Sequence, residues 1–567
     1  MHLIKDCTGV LSKKMQFDQI SEEQKKIIRG WCMYDWANSG FATTIVAIVP
    51  IYFIALFQDK FGDEVTFLNM DLSGSSMWSL AIALSAAIIM LTGPILGAFA
   101  DKTSSKKKML IIYTVIGSVA TFLMFFSAYF ANPWAWFMIC FVTANVGFIG
   151  GTAFYNALLP HIVAPQFLDK VSAKGFAYGY IGGGLLLMIH LAIVFIYSES
   201  DSLDLITRLC IASVGIWWIG WAIWTFKTVP EEKSSISGDG GSQGVMTESI
   251  KKVLITIKNI SKYKILAVYL IAYLFFTDGI ATVLSVAGAF GADVLGVSLL
   301  SNMATILIVQ FIAAPGALLF SKIADKYTAK KALVVSLWGW VFLTIFALGF
   351  APITPQGFDE FDLQIIEETQ GSFVIKNTPN ITEVEEDKLE LLTGVAIKKD
   401  STLNNEQISF ILQEVKNDQY KLSVAIQGSI NEKIVGSLHP SNIDRYKLNG
   451  WTNFIRNNLW IPLGIGIDIQ WLILGSLLGI FMGGSQSLAR SIFAYMVPVK
   501  ESAEFFGFFA LIGRTATIIG PLSYAIFSSK WDSKIAILSL LILMLIGLAL
   551  LKYVNVEKGR KQAESVN

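Results

Sequence analysis

Few ionisable side chains lie inside the long apolar stretches of this sequence, and these few are the first candidates for chemistry. Asp278 lies in the run YLFFTDGIATVL with apolar residues on both sides, so we expect it to face a cavity and to bind a substrate amine or a proton. A charged group inside the bilayer costs at least about 2.5 kcal/mol. Protonation would lower that cost in one conformation, which is a physical basis for coupling to a proton gradient.

Two arginines are candidates for binding an anion, because a guanidinium offers a rigid pair of donors to a carboxylate or phosphate. Arg514 lies in FFALIGRTATIIGP, and we expect it to bind an anion or to lock two helices together. Arg490 lies late in its apolar run, in SQSLARSIFAY. Its surroundings favour a simpler role, in which it reaches the cytoplasmic interface or pairs with Glu501 or Glu504.

Asp35 and Asn38 lie three residues apart at the predicted start of the first helix, so they share one helical face. Asp35 has two interpretations: an interfacial residue that pairs with a nearby arginine or caps the helix, or a group that acts in gating or proton coupling. Asn38 lies one turn deeper in the predicted helix. We therefore expect Asn38 to line the transport path.

Other polar side chains in the apolar runs could either hydrogen-bond within a cavity or bridge helices. They are Tyr155, Asn156, Tyr178 and Gln486. His190 stands alone on an apolar helix and is expected to be a buried histidine with its hydrogen bonds satisfied. The sequence contains no nucleophile and base pair at catalytic spacing and no metal-ligand spacing, so we expect neither an enzyme nor a bound cofactor or metal.

Two basic loops, GAFADKTSSKKK and SKIADKYTAKK, repeat the pattern Ala-Asp-Lys, three residues, Lys-Lys. The aspartates can accept hydrogen bonds from helix N-termini and pair with cations across the cytoplasmic face. Pairs that form in one access state and break in the other would act as a latch, whereas a loop that only sets topology would not require the aspartates. The predicted latch residues are Asp101, Lys102, Lys106, Asp325, Lys326 and Lys330.

The composition indicates that the apolar runs that carry these residues lie in a lipid bilayer. The 567 residues are 54% hydrophobic and only 15% charged, with a mean hydropathy of +0.57. The net charge of +1 does not identify a partner, and four scattered cysteines indicate neither disulfides nor a thiolate metal site. We expect a monomer whose partners are the lipid bilayer, a small-molecule substrate and protons, without nucleic acid.

A spanning helix needs about 20 mostly apolar residues, and the sequence contains twelve such runs. Lysine and arginine concentrate in alternate connections, which predicts that both termini are cytoplasmic. A multi-pass protein of the bacterial inner membrane is expected. The runs lie near 36–57, 78–100, 109–130, 134–158, 175–197, 208–226, 264–285, 299–321, 332–351, 465–487, 505–527 and 535–553.

A Gly/Ser-rich polar stretch between the sixth and seventh runs divides two six-helix halves and is too polar to fold. Parallel repeats of this kind predict an all-α, twelve-helix major facilitator fold. The expected segments are a cytoplasmic N-terminal segment (1–29), a first bundle (30–227), a cytoplasmic linker (228–263), helices 7–9 (264–351), an extracytoplasmic insert (352–460), helices 10–12 (461–554) and a cytoplasmic tail (555–567).

The polar insert has the alternating pattern of a small α+β or β domain. SFVIKN, GVAIKKD, KLSVAIQGSI and EKIVGSL are predicted strands, and DEFDLQIIEE and NNEQISFILQEVK are each compatible with a strand or a short helix. No catalytic motif lies in it, so an accessory role is expected.

Four stretches carry a family resemblance: YDWANSGFATT from Tyr34, FYNALLP from Phe154, GFAYGYIG from Gly175, and residues 483–521. They resemble the vacuole-effluxer or "unknown major facilitator" branch of the major facilitator superfamily, whose eukaryotic members are similar to vacuolar amino-acid exporters. The resemblance covers the membrane part but not residues 352–460. It implies a transporter, with amino acids as the favoured substrates.

These observations predict a secondary transporter that works by alternating access. The sequence has no Walker A motif, so its energy would come from a gradient, with protons expected as the coupling ion. One alternative is a transporter of organic anions or amphipathic compounds, in which Arg514 would dominate over Asp278. The other is a receptor or scaffold that does not transport and uses residues 352–460 to bind a ligand.

Overall fold

The computed structural model describes twelve helices that are long and apolar enough to cross a bilayer, as predicted. The described residues are 17–62, 64–67, 70–198, 200–231, 242–258, 260–378, 390, 394, 397–416, 421–516 and 519–565. The spans are Glu22–Phe61, Gly74–Thr103, Lys106–Tyr129, Pro133–Ile162, Pro165–Ile196, Leu203–Thr228, Lys264–Ala292, Leu300–Lys326, Ala329–Ala347, Ile467–Met496, Val499–Lys530 and Ser533–Lys552.

The first span begins much earlier than the hydropathy pattern predicted. Its helix starts at Glu22, where the Ser21 side chain accepts a hydrogen bond from the backbone N–H of Gln24, and not near residue 36. The polar first turns were excluded from the predicted run because they carry charges. Asp35 and Asn38 therefore lie in the middle of this helix, and the prediction that they start it was wrong.

The two six-helix halves meet closely at one face of the membrane domain. We call it the terminal face, because the first span begins there and the last span ends there, and we call the opposite face the insert face. A Cβ added at Gly97 of the second span would lie 2.3 Å from the carbonyl oxygen of Ala503 in the eleventh. The absence of a side chain at Gly97 thus allows these two helices to cross backbone to backbone.

Two helices are described in the eleventh span. One helix covers Ser502–Thr515 and a second covers Ile519–Lys530. Pro521 lies in the first turn of the second helix, where a proline removes no hydrogen bond within the helix. The other backbone N–H groups of this first turn need acceptors from outside the helix.

Residues 352–460 contain a five-stranded sheet with the order β5-β4-β3-β6-β7. β3 pairs in parallel with β6, and the other neighbours are antiparallel. A helix, Asn405–Lys416, contributes Ile408, Ile411, Leu412 and Val415 to a hydrophobic core that is separate from the core of the membrane domain. The strands are β3 (Leu363–Thr369), β4 (Ser372–Asn377), β5 (Thr402–Asn404), β6 (Ser423–Gln427) and β7 (Glu432–Val435).

The stretches SFVIKN, KLSVAIQGSI and EKIVGSL contain strands β4, β6 and β7, as predicted. DEFDLQIIEE forms β3, and NNEQISFILQEVK forms the helix, so the two ambiguous stretches take different conformations. The prediction of a strand for GVAIKKD was wrong in its described residues 397–400, which end in a turn at Asp400, and residues 395–396 lie outside the described part. A short hairpin that was not predicted, β1 (Glu64–Phe67) and β2 (Met70–Ser73), joins the first two spans.

The predicted linker between the halves is partly folded. Residues 232–241 lie outside the described part, but Ser242–Lys258 form a helix, which we call the linker helix. The expectation that the polar stretch between the sixth and seventh runs is too polar to fold was therefore wrong for its described residues. The polar residues 242–248 directly precede the more apolar stretch SIKKVLITIK, and both belong to the same helix.

Candidate functional site

A cavity of about 560 Å³ lies between the two halves. Its walls come from the first, fourth and fifth spans on one side and from the seventh, eighth and tenth on the other. Most of the surface is apolar, with polar groups at a few positions, as is usual for sites that bind small molecules. Of the predicted path residues, Asp35, Asn38, Asn156, Gln486 and Arg490 line this cavity.

A second cavity of about 360 Å³ extends the site toward the eleventh span. It shares Asn156, Gln486 and Arg490 with the first cavity and adds Tyr273 and Arg514. The two cavities are therefore adjacent. Arg490 lines both of them, whereas Asp35 lines only the first and Arg514 only the second.

Asp35 and Arg490 form an ion pair across the two halves. The Nη1 atom of Arg490 lies 3.1 Å from Oδ2 of Asp35, and Tyr155 donates its hydroxyl to the same oxygen at 2.8 Å. Both charged residues are buried. The expectations that Asp35 is an interfacial residue and that Arg490 reaches the interface or pairs with Glu501 or Glu504 were therefore wrong.

Arg490 makes polar contacts with several helices of the first half. It donates to Oγ and to the carbonyl oxygen of Ser172, at 3.0 and 2.8 Å, and to Oδ1 of Asn156 at 3.2 Å. Its guanidinium lies 4.0 Å from the ring centroid of Phe176. Through these contacts the tenth span is joined to the first, fourth and fifth spans by one side chain.

Two further hydrogen bonds line the cavity walls. Asn38 donates to Oγ1 of Thr152 at 3.4 Å, within the first half, and Tyr180 donates to Oε1 of Gln486 at 2.8 Å, between the halves. The sequence analysis selected Tyr178 and missed Tyr180, although both lie in the same motif. Residues two apart on a helix point in very different directions, and Tyr178 does not line either cavity within the described residues.

Asp278 lies behind the cavity wall and not on it. Both of its carboxylate oxygens are 3.0 Å from the backbone nitrogen of Gly520, and the side chain is fully buried. The carboxylate thus accepts a hydrogen bond at the start of the helix Ile519–Lys530 of the eleventh span, where a negative charge is favoured. In this conformation it does not meet the expectation of a carboxylate that faces the cavity.

Arg514 lies in the wall of the second cavity, near the end of the helix Ser502–Thr515. Its guanidinium carbon is 5.9 Å from the ring centroid of Phe148, which belongs to the first half. The guanidinium is therefore positioned beside the space that a ligand would fill. Anion binding or helix locking by Arg514 stays a prediction.

The first of the two repeated loops contacts a helix N-terminus, as predicted for its aspartate. Asp101 accepts hydrogen bonds from the backbone N–H groups of Ala503 and Glu504, at 3.1 and 2.8 Å. It also forms a buried ion pair with Lys106, at 3.1 Å. Asp101 thus joins the second span to the start of the eleventh, across the halves.

The second loop makes different contacts. Asp325 pairs with Lys170 of the fifth span at 3.1 Å, and both side chains are more than a third exposed. Lys330 donates to the carbonyl oxygen of Val554 at 2.7 Å, at the end of the last span in its own half. The Nζ atom of Lys326 lies 5.5 Å from the ring centroid of Tyr327. The repeat is therefore preserved in sequence but not in its contacts.

The linker helix adds charged contacts at the same face. Lys102 pairs with Glu248, and Lys252 lies 3.1 Å from a carboxylate oxygen of Glu501 and 3.6 Å from one of Glu504. Burial alone would lower the pKa of Lys252, but the two carboxylates outweigh it and raise that pKa above its usual value. The linker helix is thus fixed to the start of the eleventh span by charge.

The hydrogen bonds and ion pairs between the halves cluster between the Tyr180–Gln486 contact and the terminal face. The first cavity extends from there toward the insert face, over about 28 Å of the tenth span from Arg490 to Trp471 at 1.5 Å per residue. The structure therefore represents a conformation that is closed at the terminal face.

Known proteins are similar to this chain in sequence and in fold. A sequence model of the family described as "Vacuole effluxer Atg22 like" matches residues 23–364 and 446–564. An uncharacterized MFS-type transporter, YxiO of Bacillus subtilis, is 23% identical over 543 residues, which cover 95% of this chain and 96% of that protein. Autophagy-related protein 22 of Kluyveromyces lactis is 20% identical, with 97% of each chain covered. Among solved structures, the major facilitator proton:xylose symporter XylE aligns with a TM-score of 0.53 at 12% identity, covering 96% of this chain and 98% of XylE, which shows the fold.

Proposed function

This chain belongs to the family of vacuole effluxer Atg22-like proteins and is a transporter of the major facilitator type, and we propose that it moves a small polar metabolite, with amino acids favoured, by proton-coupled alternating access. One observation carries the proposal. The floor of the cavity between the halves holds the buried pair of Asp35 and Arg490. A buried carboxylate that also holds the halves together is suited to link proton binding to a change of access.

Protonation of Asp35 would remove the negative partner of Arg490. The guanidinium would keep its hydrogen bonds to Ser172 and Asn156, but its contact with the neutral carboxyl group would no longer be an ion pair, so the closed terminal face would be held less strongly. A change of access at that point would expose the cavity to the terminal face. Asp278 is the second candidate proton carrier, because its buried carboxylate stabilises the start of the helix Ile519–Lys530.

The amino-acid preference is supported by the family and by the charges at the site. The two adjacent cavities together offer a carboxylate at Asp35 and guanidinium groups at Arg490 and Arg514. A zwitterion carries one charge of each sign, so its ammonium and carboxylate groups have complementary partners here. The lining is mostly apolar and would accommodate the side chain of an amino-acid substrate.

A transporter of organic anions or amphipathic compounds is the second candidate. The second cavity is lined by Arg490 and Arg514 and, among the described residues, by no carboxylate. An anion confined to that cavity would meet two cations and an apolar wall. We further propose that the protein lies in a bacterial inner membrane with its basic terminal face toward the cytoplasm.

Transport by purified protein in proteoliposomes tests the proposal. Initial uptake of radiolabelled amino acids, and separately of organic anions, is measured with and without a pH gradient. We expect saturable amino-acid transport that the gradient accelerates, and Arg514→Gln to weaken it. Anion transport without amino-acid transport would select the second candidate, and no flux of either class would contradict both.

A further inference from the structure

The linker helix, Ser242–Lys258, carries an apolar stripe that stays largely exposed. Ile250, Leu254 and Ile257 are 41, 61 and 51% exposed. At about 100° per residue they lie within about 60° of one another, so they form one continuous stripe along the helix. Single exposed apolar residues are common on protein surfaces, but a stripe of three large aliphatic side chains marks a contact with lipid or with another apolar surface.

The other sides of the linker helix have different properties. Ser249 and Val253, centred about 90° from the stripe, are buried against the membrane domain. Lys251 and Lys258 lie about 80° from the stripe on its other side and are exposed. Around its axis, the helix thus has a side that packs on the protein, then an apolar side, and then a basic side.

The contacts of the linker helix place it at the level where the spans end. Glu248 pairs with Lys102, at the end of the second span. Lys252 pairs with Glu501, at the start of the eleventh span. Because the ends of spanning helices lie near the headgroup region of a bilayer, the linker helix lies near that region as well.

The linker helix also lies beside a span that faces lipid. It packs on the second span, whose residues Leu84, Ile88 and Leu91 are 51, 36 and 67% exposed. These three side chains share one side of a spanning helix, so the bilayer covers them. The lipid around the second span therefore also lies next to the linker helix, and its headgroup boundary is within reach of the apolar stripe.

We propose that the linker helix binds the surface of the bilayer leaflet at the terminal face and that this binding is strengthened by anionic lipids. Ile250, Leu254 and Ile257 enter the boundary between headgroups and acyl chains, and Lys251 and Lys258, beside the stripe, pair with anionic headgroups. Apolar residues on one side and lysines on the adjacent side are typical of helices that lie in this boundary. The surface is separate from the central cavities and does not depend on the transported substrate.

Two neighbouring positions on the helix test this orientation. Leu254→Cys places a label on the stripe. Ile255→Cys is the matched control, because Ile255 is 57% exposed but lies about 100° away, beyond the lysines. Both variants are made in the full-length protein with Cys7→Ser, since the other three cysteines are buried. They are labelled with a nitrobenzoxadiazole fluorophore and reconstituted into nanodiscs of phosphatidylcholine and phosphatidylglycerol.

We expect phosphatidylcholine with a nitroxide on its acyl chain to quench the label at position 254 several-fold more strongly than the label at position 255. Dithionite in the water should bleach the label at position 255 several-fold faster. Equal quenching and equal bleaching at the two positions would overturn the proposed membrane contact. Such a result would show that the stripe faces water or another protein.

The role of the lysines is tested in the Leu254→Cys protein. Lys251→Gln combined with Lys258→Gln should weaken quenching at position 254 in the mixed nanodiscs. Nanodiscs of phosphatidylcholine alone should weaken it for the protein that retains both lysines and should abolish the difference between the two proteins. If neither the substitutions nor the removal of phosphatidylglycerol changes the quenching, the proposed role of anionic lipids is wrong.

Discussion

Asp35 and Arg490 are 455 residues apart in the sequence and are joined at 3.1 Å in the floor of the central cavity. One belongs to the first half of the transporter and the other to the second. A rocking motion that opens the terminal face must separate them, because the halves move apart at that point. We therefore expect the charge of Asp35 to influence which face of the membrane domain is open.

Asp35→Asn should abolish accumulation driven by a pH gradient and preserve exchange of substrate. The amide cannot gain or lose a proton in the relevant range, whereas its oxygen can still accept from Arg490 and Tyr155. The measurement compares uptake into proteoliposomes under a pH gradient with counterflow without one.

The matched control for this substitution is Asp204→Asn. Asp204 pairs with Arg208 at 2.5 Å on the sixth span and lines neither central cavity. We expect this variant to retain both activities. Accumulation by Asp35→Asn at the original rate would contradict the coupling role of the carboxylate.

Asp278 is predicted to act chiefly as a helix cap. An asparagine can also accept the hydrogen bond of Gly520, so Asp278→Asn should keep transport, whereas Asp278→Ala should cost about 1 kcal/mol of stability, as removal of helix caps usually does. Thermal unfolding and uptake are measured for both variants. Loss of gradient-driven accumulation with retained exchange in Asp278→Asn would identify Asp278, and not only Asp35, as a proton carrier.

The twelve spans could be predicted because about 20 apolar residues suffice to cross a bilayer, whatever surrounds them. The pairing of Arg490 could not, since its partner is on a distant span and nearby glutamates offered a plausible alternative. A pattern within the tenth span contains no information about the first. The position of Asp35 was missed for a local reason, because the helix begins with charged turns that a hydropathy pattern excludes.

The repeated loops show a further limit of sequence patterns. Asp101 and Asp325 occupy matching positions, yet one meets backbone N–H groups and the other a lysine side chain. The difference arises because Asp325 meets the side chain of Lys170 at the start of the fifth span. At the matching position, Asp101 meets the backbone N–H groups in the first turn of the eleventh span. Contacts of a repeat thus depend on the partner helix, which the repeat itself does not encode.

Asp101→Asn should slow transport while expression stays intact. The substitution removes the negative partner of buried Lys106, and loss of one member of a buried pair costs about 3–5 kcal/mol in the state that contains it. Asp325→Asn is the control from the other half, because its half-exposed pair is expected to contribute about 1 kcal/mol or less. Initial uptake rates in proteoliposomes are measured for both variants. Equal rates for Asp101→Asn and the original protein would contradict the latch hypothesis.

Removal of the sheet should leave a working transporter. Oδ2 of Asp362 and Nε2 of His439 lie 3.2 Å apart, so the two residues are close enough for a short Gly/Ser linker to replace residues 363–438 between them. This design retains Thr452, whose hydroxyl oxygen lies 3.1 Å from Nζ of buried Lys534. We expect substantial uptake by the shortened protein. A folded variant without flux, combined with ligand binding by the intact protein, would favour the receptor interpretation.

The insert should lose stability in acid because of Asp362. Burial alone would raise the pKa of this carboxyl group, but hydrogen bonds from His439 and Ser423 outweigh it and hold the pKa below its usual value. A carboxyl group whose pKa is lower in the folded state stabilises the fold above its usual pKa of about 3.9, and this contribution disappears as the pH falls through the folded value. Asp362→Asn should therefore lower the melting temperature at pH 7, and the difference from the original protein should vanish near the folded pKa. Melting curves recorded from pH 7 down to about 3 test this prediction, and a difference that is independent of pH would show that the charge of Asp362 does not stabilise the insert.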